Sequence, residues 1–272
     1  MTNQKILVAG AVALALSSGQ VLAENVLRWT SQGDALTLDP HSQNESPTIA
    51  MNGMMYESLV TRDADMNLLP ELAESWESNE EVWTFKLREG VKFHGGEDFT
   101  AEDVVFSFQR ARHEASDFKE QIKSVTEVRV VDDHTIELVT DEVNPILPNQ
   151  LTSMFIVDKG WAEENAVVDP QNFAGGEETF ATRNANGTGP FKLVSRAPDE
   201  ETIMEAHGDW WGKGKFPGNV DRLEYRPIGN AATRVAALLS NEVDFVLDPP
   251  LQNLKRIEGC LLYTSPSPRD RG

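Results

Sequence analysis

Runs of alternating and helically spaced apolar residues divide the chain into short, mixed elements. Val26–Thr30 reads as a first strand, and residues 32–45 as a polar loop interrupted by Leu36-Thr37-Leu38-Asp39-Pro40. Ser46 followed by Pro47 predicts a helix start, with Ser46 as N-cap and Pro47 in the first helical position. Met51, Met54, Met55 and Leu59 continue that helix at the spacing of one buried face. Asp63 to Asn67 is a turn. Trp83, Phe85 and Leu87 then alternate with Thr84, Lys86 and Arg88, the mark of a strand with one face in a core.

Thr100 and Asp103 form a capping box with Asp in place of the usual Glu, and Val104, Val105, Phe108 and Ala111 give the helix behind it an apolar side. Residues 125–131 and Thr135–Thr140 flank Asp132, Asp133 and His134 as a hairpin. Residues 165–189, rich in Asn, Gly and acids, are the longest loop. A second hairpin joins 191–194 to 202–206 around Pro198 and Asp199. Residues 223–227 predict a strand, and Asn230 caps a helix with Ala231, Val235, Leu238 and Leu239 on its apolar face. Asn241 suits a left-handed position just past that helix, and residues 243–247 return as a strand. Strand, helix and strand in that order imply a crossover unit and an α/β fold.

Both ends look separate from the fold. Lys5, the apolar run of residues 6–16 and Val21-Leu22-Ala23 have the form of an export signal cleaved before Glu24. Eleven apolar residues are too few to span a bilayer, which needs about 20. At the other end, residues 260–270 follow no periodic pattern and hold the single cysteine of the chain. They resemble the in-frame translation of a transposon-end adapter used in DNA library preparation, which makes 260–272 a non-native tail.

Charge narrows the function classes. The 272 residues carry 44 acidic and 24 basic side chains, a net charge of −20. Without Lys5 and the net positive tail the balance becomes −22. Such a surface repels nucleic acid and anionic membranes. One Cys excludes a disulfide framework, a CxxC redox centre and a multi-thiolate metal site. No GxSxG, HExxH, GxxxxGK[ST] or GxGxxG occurs. The histidines at 41, 94, 113, 134 and 207 are scattered and read as solvated or hydrogen-bonded residues rather than metal ligands. Asp63, Asp65, Asn67, Glu71 and Glu74 fall at calcium-loop positions, but Leu68 stands where that loop needs Gly, and Pro70 follows, so a polar turn explains them better. No metal or cofactor is expected.

Eight segments in order resemble the peptide/nickel class of extracytoplasmic solute-binding proteins, family 5. They are LDP at 38–40, MYESLV at 55–60, LPELAESW at 69–76, WTFKLREGVKFH at 83–94, FTAEDVVFSF at 99–108, GTGPFKL at 187–193, DWWG at 209–212 and EVD at 242–244. Two departures are Asn241, where the family has Gly, and length. Family members are much longer, so the resemblance implies a C-terminally truncated chain whose third domain is missing. It implies a type II periplasmic-binding-protein-like α/β fold with lobes around a cleft. Residues 24–65 and 186–259 would form part of lobe I, and 66–185 an inserted subdomain, lobe II.

The implied function is capture of oligopeptides or dipeptides in the periplasm by a monomer that closes about a hinge and delivers its cargo to an ABC-importer permease in the inner membrane. The family pattern assigns polar ligand contacts to Gln43, Asn44, Glu45 and Ser46, a cleft aromatic to Phe118, and a cleft-facing segment to Ser153 and Met154. The apolar stripe Trp83, Phe85 and Leu87 reads as core. Rival readings are a carrier for a nickel chelate, sugar or opine, a sensory or chaperone-like domain of the same fold, and a secreted hydrolase. The hydrolase requires a pair of Asp or Glu converging in a cleft with raised pKa.

Overall fold

The computed structural model describes residues 24–216 and 218–260. The expected export signal, residues 1–23, and all but Cys260 of the expected non-native tail lie outside the described residues. Among the described residues eleven strands run in order as β1 (Val26–Thr30), β2 (Val60–Arg62), β3 (Leu68–Pro70), β4 (Ala73–Asn79), β5 (Val82–Leu87), β6 (Val125–Asp132), β7 (Thr135–Thr140), β8 (Phe191–Ala197), β9 (Glu201–Ala206), β10 (Arg222–Tyr225) and β11 (Phe245–Val246). The helices are α1 (Ser46–Asn52), α2 (Ala101–Ala111), α3 (Leu147–Gln150), α4 (Lys159–Glu164), α5 (Ala231–Leu239) and α6 (Leu254–Cys260). Among the described residues no helix is long and apolar enough to cross a membrane.

The larger sheet has the order β11-β1-β10-β9-β8. β1 lies parallel to both neighbours, pairing Val26 with Arg222 and Trp29 with Phe245. The expected crossover is therefore real: β10, α5 and β11 straddle β1. The smaller of the two main sheets, β4-β5-β7-β6, is antiparallel throughout, and β2 and β3 form a separate two-stranded ladder. In β5 the residues Trp83, Phe85 and Leu87 are buried as the alternation requires. The Thr100–Asp103 capping box is present, with Asp103 Oδ2 accepting from the Thr100 backbone N–H at 2.9 Å. Asn230 Oδ1 accepts from the Thr233 N–H at 3.0 Å, and Asn241 is left-handed at φ 60°.

Three expectations shift. Glu45, not Ser46, is the N-cap of α1: its backbone is extended, its carboxylate meets the Thr48 hydroxyl, and Ser46 and Pro47 open the helix. That helix ends at Asn52 instead of running on to Leu59, because the Met54 and Met55 carbonyls bond the Phe191 and Gly189 N–H groups. The last strand contracts to two residues: the Asp244 N–H still meets the Arg28 carbonyl at 2.7 Å, but the Arg28 N–H (2.9 Å) and guanidinium (3.0 and 2.9 Å) turn to the Asp244 carboxylate rather than to a strand carbonyl.

Two main cores result. Leu72, Phe85, Phe93, Phe99, Phe108, Ile136 and Leu138 fill the one between the smaller sheet and α2. Trp29, Leu38, Met55, Tyr56, Met204 and Tyr225 centre the other, under the larger sheet. The cores are interleaved in sequence: Leu59 and Val60 pack with the smaller sheet, whereas Phe106, Phe155 and Val157 pack with the larger.

Candidate functional site

The loop before α1 rests on a buried polar base. Asp39 and Arg110 form a two-pronged ion pair, both contacts 2.7 Å, with essentially no exposure on either side chain. Burial alone would raise the Asp39 pKa, but the adjacent guanidinium and the Gln171 N–H (2.8 Å) hold it below the usual carboxylate range. Arg110 also donates to the Val167 and Asp169 carbonyls, each at 3.2 Å, which pins the long loop to α2. Beside the pair, His41 Nε2 donates to the Phe155 carbonyl at 2.8 Å, and its Nδ1 has no partner among the described residues. Burial and Arg110 push the His41 pKa down to about 3, so it is a neutral imidazole. Ser42 Oγ donates to the Gln171 carbonyl at 2.8 Å.

On this base the next four residues reach the surface. Asn44 and Ser46 are exposed, while Gln43 and Glu45 are half-buried. Gln43 folds back onto the Ser42 carbonyl, and Asn44 Nδ2 donates to the Asp117 carbonyl at 3.2 Å. The turn-rich segment around Asp117 gathers the other expected residues. Gln121 donates to Ser153 Oγ at 3.4 Å and to the Gln150 carbonyl.

The two apolar members are not at the surface. Phe118 is fully buried, edge-on to His41 with ring centroids 6.1 Å apart. Met154 is 1% exposed in the same core. In this structure neither presents surface to a ligand, because the Ser116 turn, closed by Phe118 N–H on Ser116 Oγ (3.0 Å), swings the ring inward. Sequence spacing could not show that turn. An open cavity of about 540 Å³, lined in part by His113, Glu114, Asp169, Asn172 and Glu177, adjoins the same segment. None of the seven expected residues lines it.

A second polar cluster, which the sequence reading missed, joins the two sheets. Glu57, 3% exposed, accepts from Trp210 Nε1 at 2.9 Å, Trp211 Nε1 at 2.8 Å and Thr188 Oγ1 at 2.8 Å. Burial pushes its pKa up to about 7 against the pull of those donors. Glu71 accepts the Ser58 N–H at 2.7 Å, and burial together with the Glu57 charge pushes it up to about 8. Raised carboxylates thus exist, as the hydrolase reading requires, but the Glu57 oxygens are occupied by protein donors inside packed side chains. Next to Thr188, the Gly189 carbonyl meets His94 Nε2 at 3.0 Å and His207 Nδ1 at 3.2 Å. The chain passes so close here that a Cβ on Gly187 would lie 2.0 Å from the Met55 carbonyl oxygen. The signal for this cluster was present in the MYESLV, GTGPF and DWWG blocks, whose residues converge on it.

The model for bacterial extracellular solute-binding proteins, family 5 Middle, matches residues 67–265. The chain belongs to that family. Heme-binding protein A of Haemophilus influenzae is 33% identical over 249 residues, 82% of this chain and 43% of its own length. The periplasmic oligopeptide-binding protein OppA of Escherichia coli is 28% identical over 263 residues, 88% of this chain and 46% of its own. Among solved structures, the ABC transporter-associated periplasmic binding protein DppA from Helicobacter pylori, in complex with peptide STSA, superposes with a TM-score of 0.74 at 26% identity. That match covers 87% of this chain and 49% of DppA. The fold is thus that of the type II periplasmic peptide-binding proteins, and the family 5 chain spans somewhat less than half the length of the relatives it matches.

Proposed function

We propose that this family 5 chain is the solute-capturing part of an ABC importer, acting outside the inner membrane, and that its cargo is a short peptide. One observation carries the cargo class: the exposed tip at Gln43, Asn44, Glu45 and Ser46 offers amide, hydroxyl and carboxylate groups on a buried, rigid ion-paired base. Such groups suit the N–H and C=O groups of a peptide backbone, whose hydrogen bonds recur whatever the side chains. The tip contains no His, Met, Cys or Tyr to ligate a heme iron. Ser153 extends the polar surface, while Phe118 and Met154 support it from beneath.

In this reading residues 24–65 and 186–259 belong to one lobe and 66–185 to an inserted subdomain. The strand sources favour that division: the larger sheet draws on residues 26–30 and 191–246, the smaller on 73–140. Cargo is held by lobe closure and handed to a permease unchanged. The test is titration calorimetry of this chain with a tripeptide-to-pentapeptide library and, in parallel, with hemin. Saturable peptide binding that weakens at least tenfold in N44A supports the reading. Binding of hemin without peptide, or peptide binding indifferent to N44A, overturns it.

A further inference from the structure

The segment that leads to the exposed tip belongs to no sheet. Residues 31–45 run between β1 and α1 outside the strands, yet Thr37, Asp39, His41 and Ser42 are fully buried there. Their polar groups need partners away from water, and one distant residue answers three of the four. Gln171 is 2% exposed. Its Oε1 accepts the Thr37 hydroxyl at 2.6 Å, its backbone N–H donates to Asp39 Oδ2 at 2.8 Å, and its carbonyl accepts the Ser42 hydroxyl at 2.8 Å. The Thr37 hydroxyl in turn accepts the Asp39 N–H at 3.0 Å. A chain of bonds thus runs from the Gln171 carboxamide to the aspartate that pairs with Arg110.

The last polar group of Gln171 fixes this clip within its own loop. Nε2 donates to the Glu177 carbonyl at 2.6 Å. Asn172 closes the same turn, its N–H on Glu177 Oε2 at 2.7 Å and its carbonyl on the Glu177 N–H at 3.1 Å. Ser42, the last residue that Gln171 holds, is followed directly by Gln43, Asn44, Glu45 and Ser46. We propose that Gln171 is a positioning residue for cargo binding: by holding Thr37, Asp39 and Ser42 it presents the tip to a peptide already in its binding-competent arrangement. Without the clip the tip samples other arrangements, and the apparent affinity falls with the fraction that stays competent. The inference rests on the peptide reading of the tip.

Backbone NMR relaxation of the chain, of Q171A and of T37V tests the clip without any cargo. Order parameters at Gln43, Asn44 and Glu45 are expected near about 0.85 in the unsubstituted chain and below about 0.6 in Q171A, with those of β5 unchanged. T37V deletes only the hydroxyl that Gln171 accepts, so it is expected to lower order at the same residues and decides the matter if Q171A does not fold. Unchanged tip order in Q171A, or in T37V where Q171A does not fold, overturns the proposal, as does an equal loss of order throughout the chain. Stopped-flow binding of the tightest peptide from the tripeptide-to-pentapeptide library, below the Tm of each variant, then separates positioning from stability. Q171A is expected to associate about fivefold more slowly and to dissociate within about twofold of the unsubstituted rate. An unchanged association rate overturns the proposal. If N44A weakens binding and Q171A does not, positioning fails and the peptide reading stands. If no peptide binds the unsubstituted chain, that reading fails, and the relaxation data alone decide whether Gln171 positions the tip.

Discussion

Asp39 and Arg110 show how single side chains set the position of the candidate site. A fully buried charge tolerates loss of its partner poorly, because the survivor stays desolvated and unpaired. D39N is therefore expected to destabilise the chain by about 3–5 kcal/mol in urea titrations. It should also free the long loop that Arg110 pins, measurable as faster amide hydrogen exchange at Val167 and Gln171. Asn44 lies at the other extreme. It is exposed and makes one side-chain hydrogen bond, so N44A should change stability by no more than about 0.5 kcal/mol while weakening peptide binding. Residue chemistry suggested this division only partly. The polar tip was recognisable from the resemblance, but Asp39 and Arg110 are 71 positions apart, and nothing local announces their pairing. Phe118 differs in another way: the family pattern assigns it to the cleft, whereas in this structure the Ser116 turn buries its ring beside His41, which the sequence does not reveal.

Elements that carry their own punctuation were the legible ones. The capping box of α2, the Asn230 cap and the period-two strand β5 all formed where the sequence put them, because each depends on contacts within a few residues. T100A should cost about 1 kcal/mol by removing a cap side chain. D103A should cost more, since the Asp103 carboxylate also accepts the Lys159 N–H at 3.0 Å and so ties α4 to α2. Urea midpoints of the two variants, compared at equal slope, give the order. Helix α1 and strand β11 departed from expectation for the converse reason. Their ends are set by distant partners, Gly189 and Phe191 for one and Arg28 for the other, which periodicity cannot register.

For the molecule as a whole, the shifted groups predict an asymmetric dependence of stability on pH. His41, buried, and His94, half-buried, are neutral with pKa near 3 and 4, and make stability rise with pH until the unfolded chain's histidines have lost their protons near 6.5. Glu57 and Glu71 act in the opposite sense. The folded chain keeps protons that the unfolded chain releases near 4.5, so stability falls as pH climbs from there through about 7 and about 8. The two effects roughly offset between 4.5 and 6.5. A plateau there, followed by a loss on the order of 2 kcal/mol by pH 8, is the expected chemical-denaturation profile. Continued gain in stability up to pH 8 would contradict the buried-glutamate account.

The placement of β1 has a consequence for how the molecule comes into being. Its five residues find both flanking neighbours only after Arg222 and Phe245 have been made. A polypeptide threaded amino end first, whether from a ribosome or through a translocation pore, must therefore leave its opening strand unmated until β10 and β11 have emerged. Closing so large a sequence gap is slow. Delayed maturation of this kind would keep the newborn chain pliable enough for passage through a narrow channel.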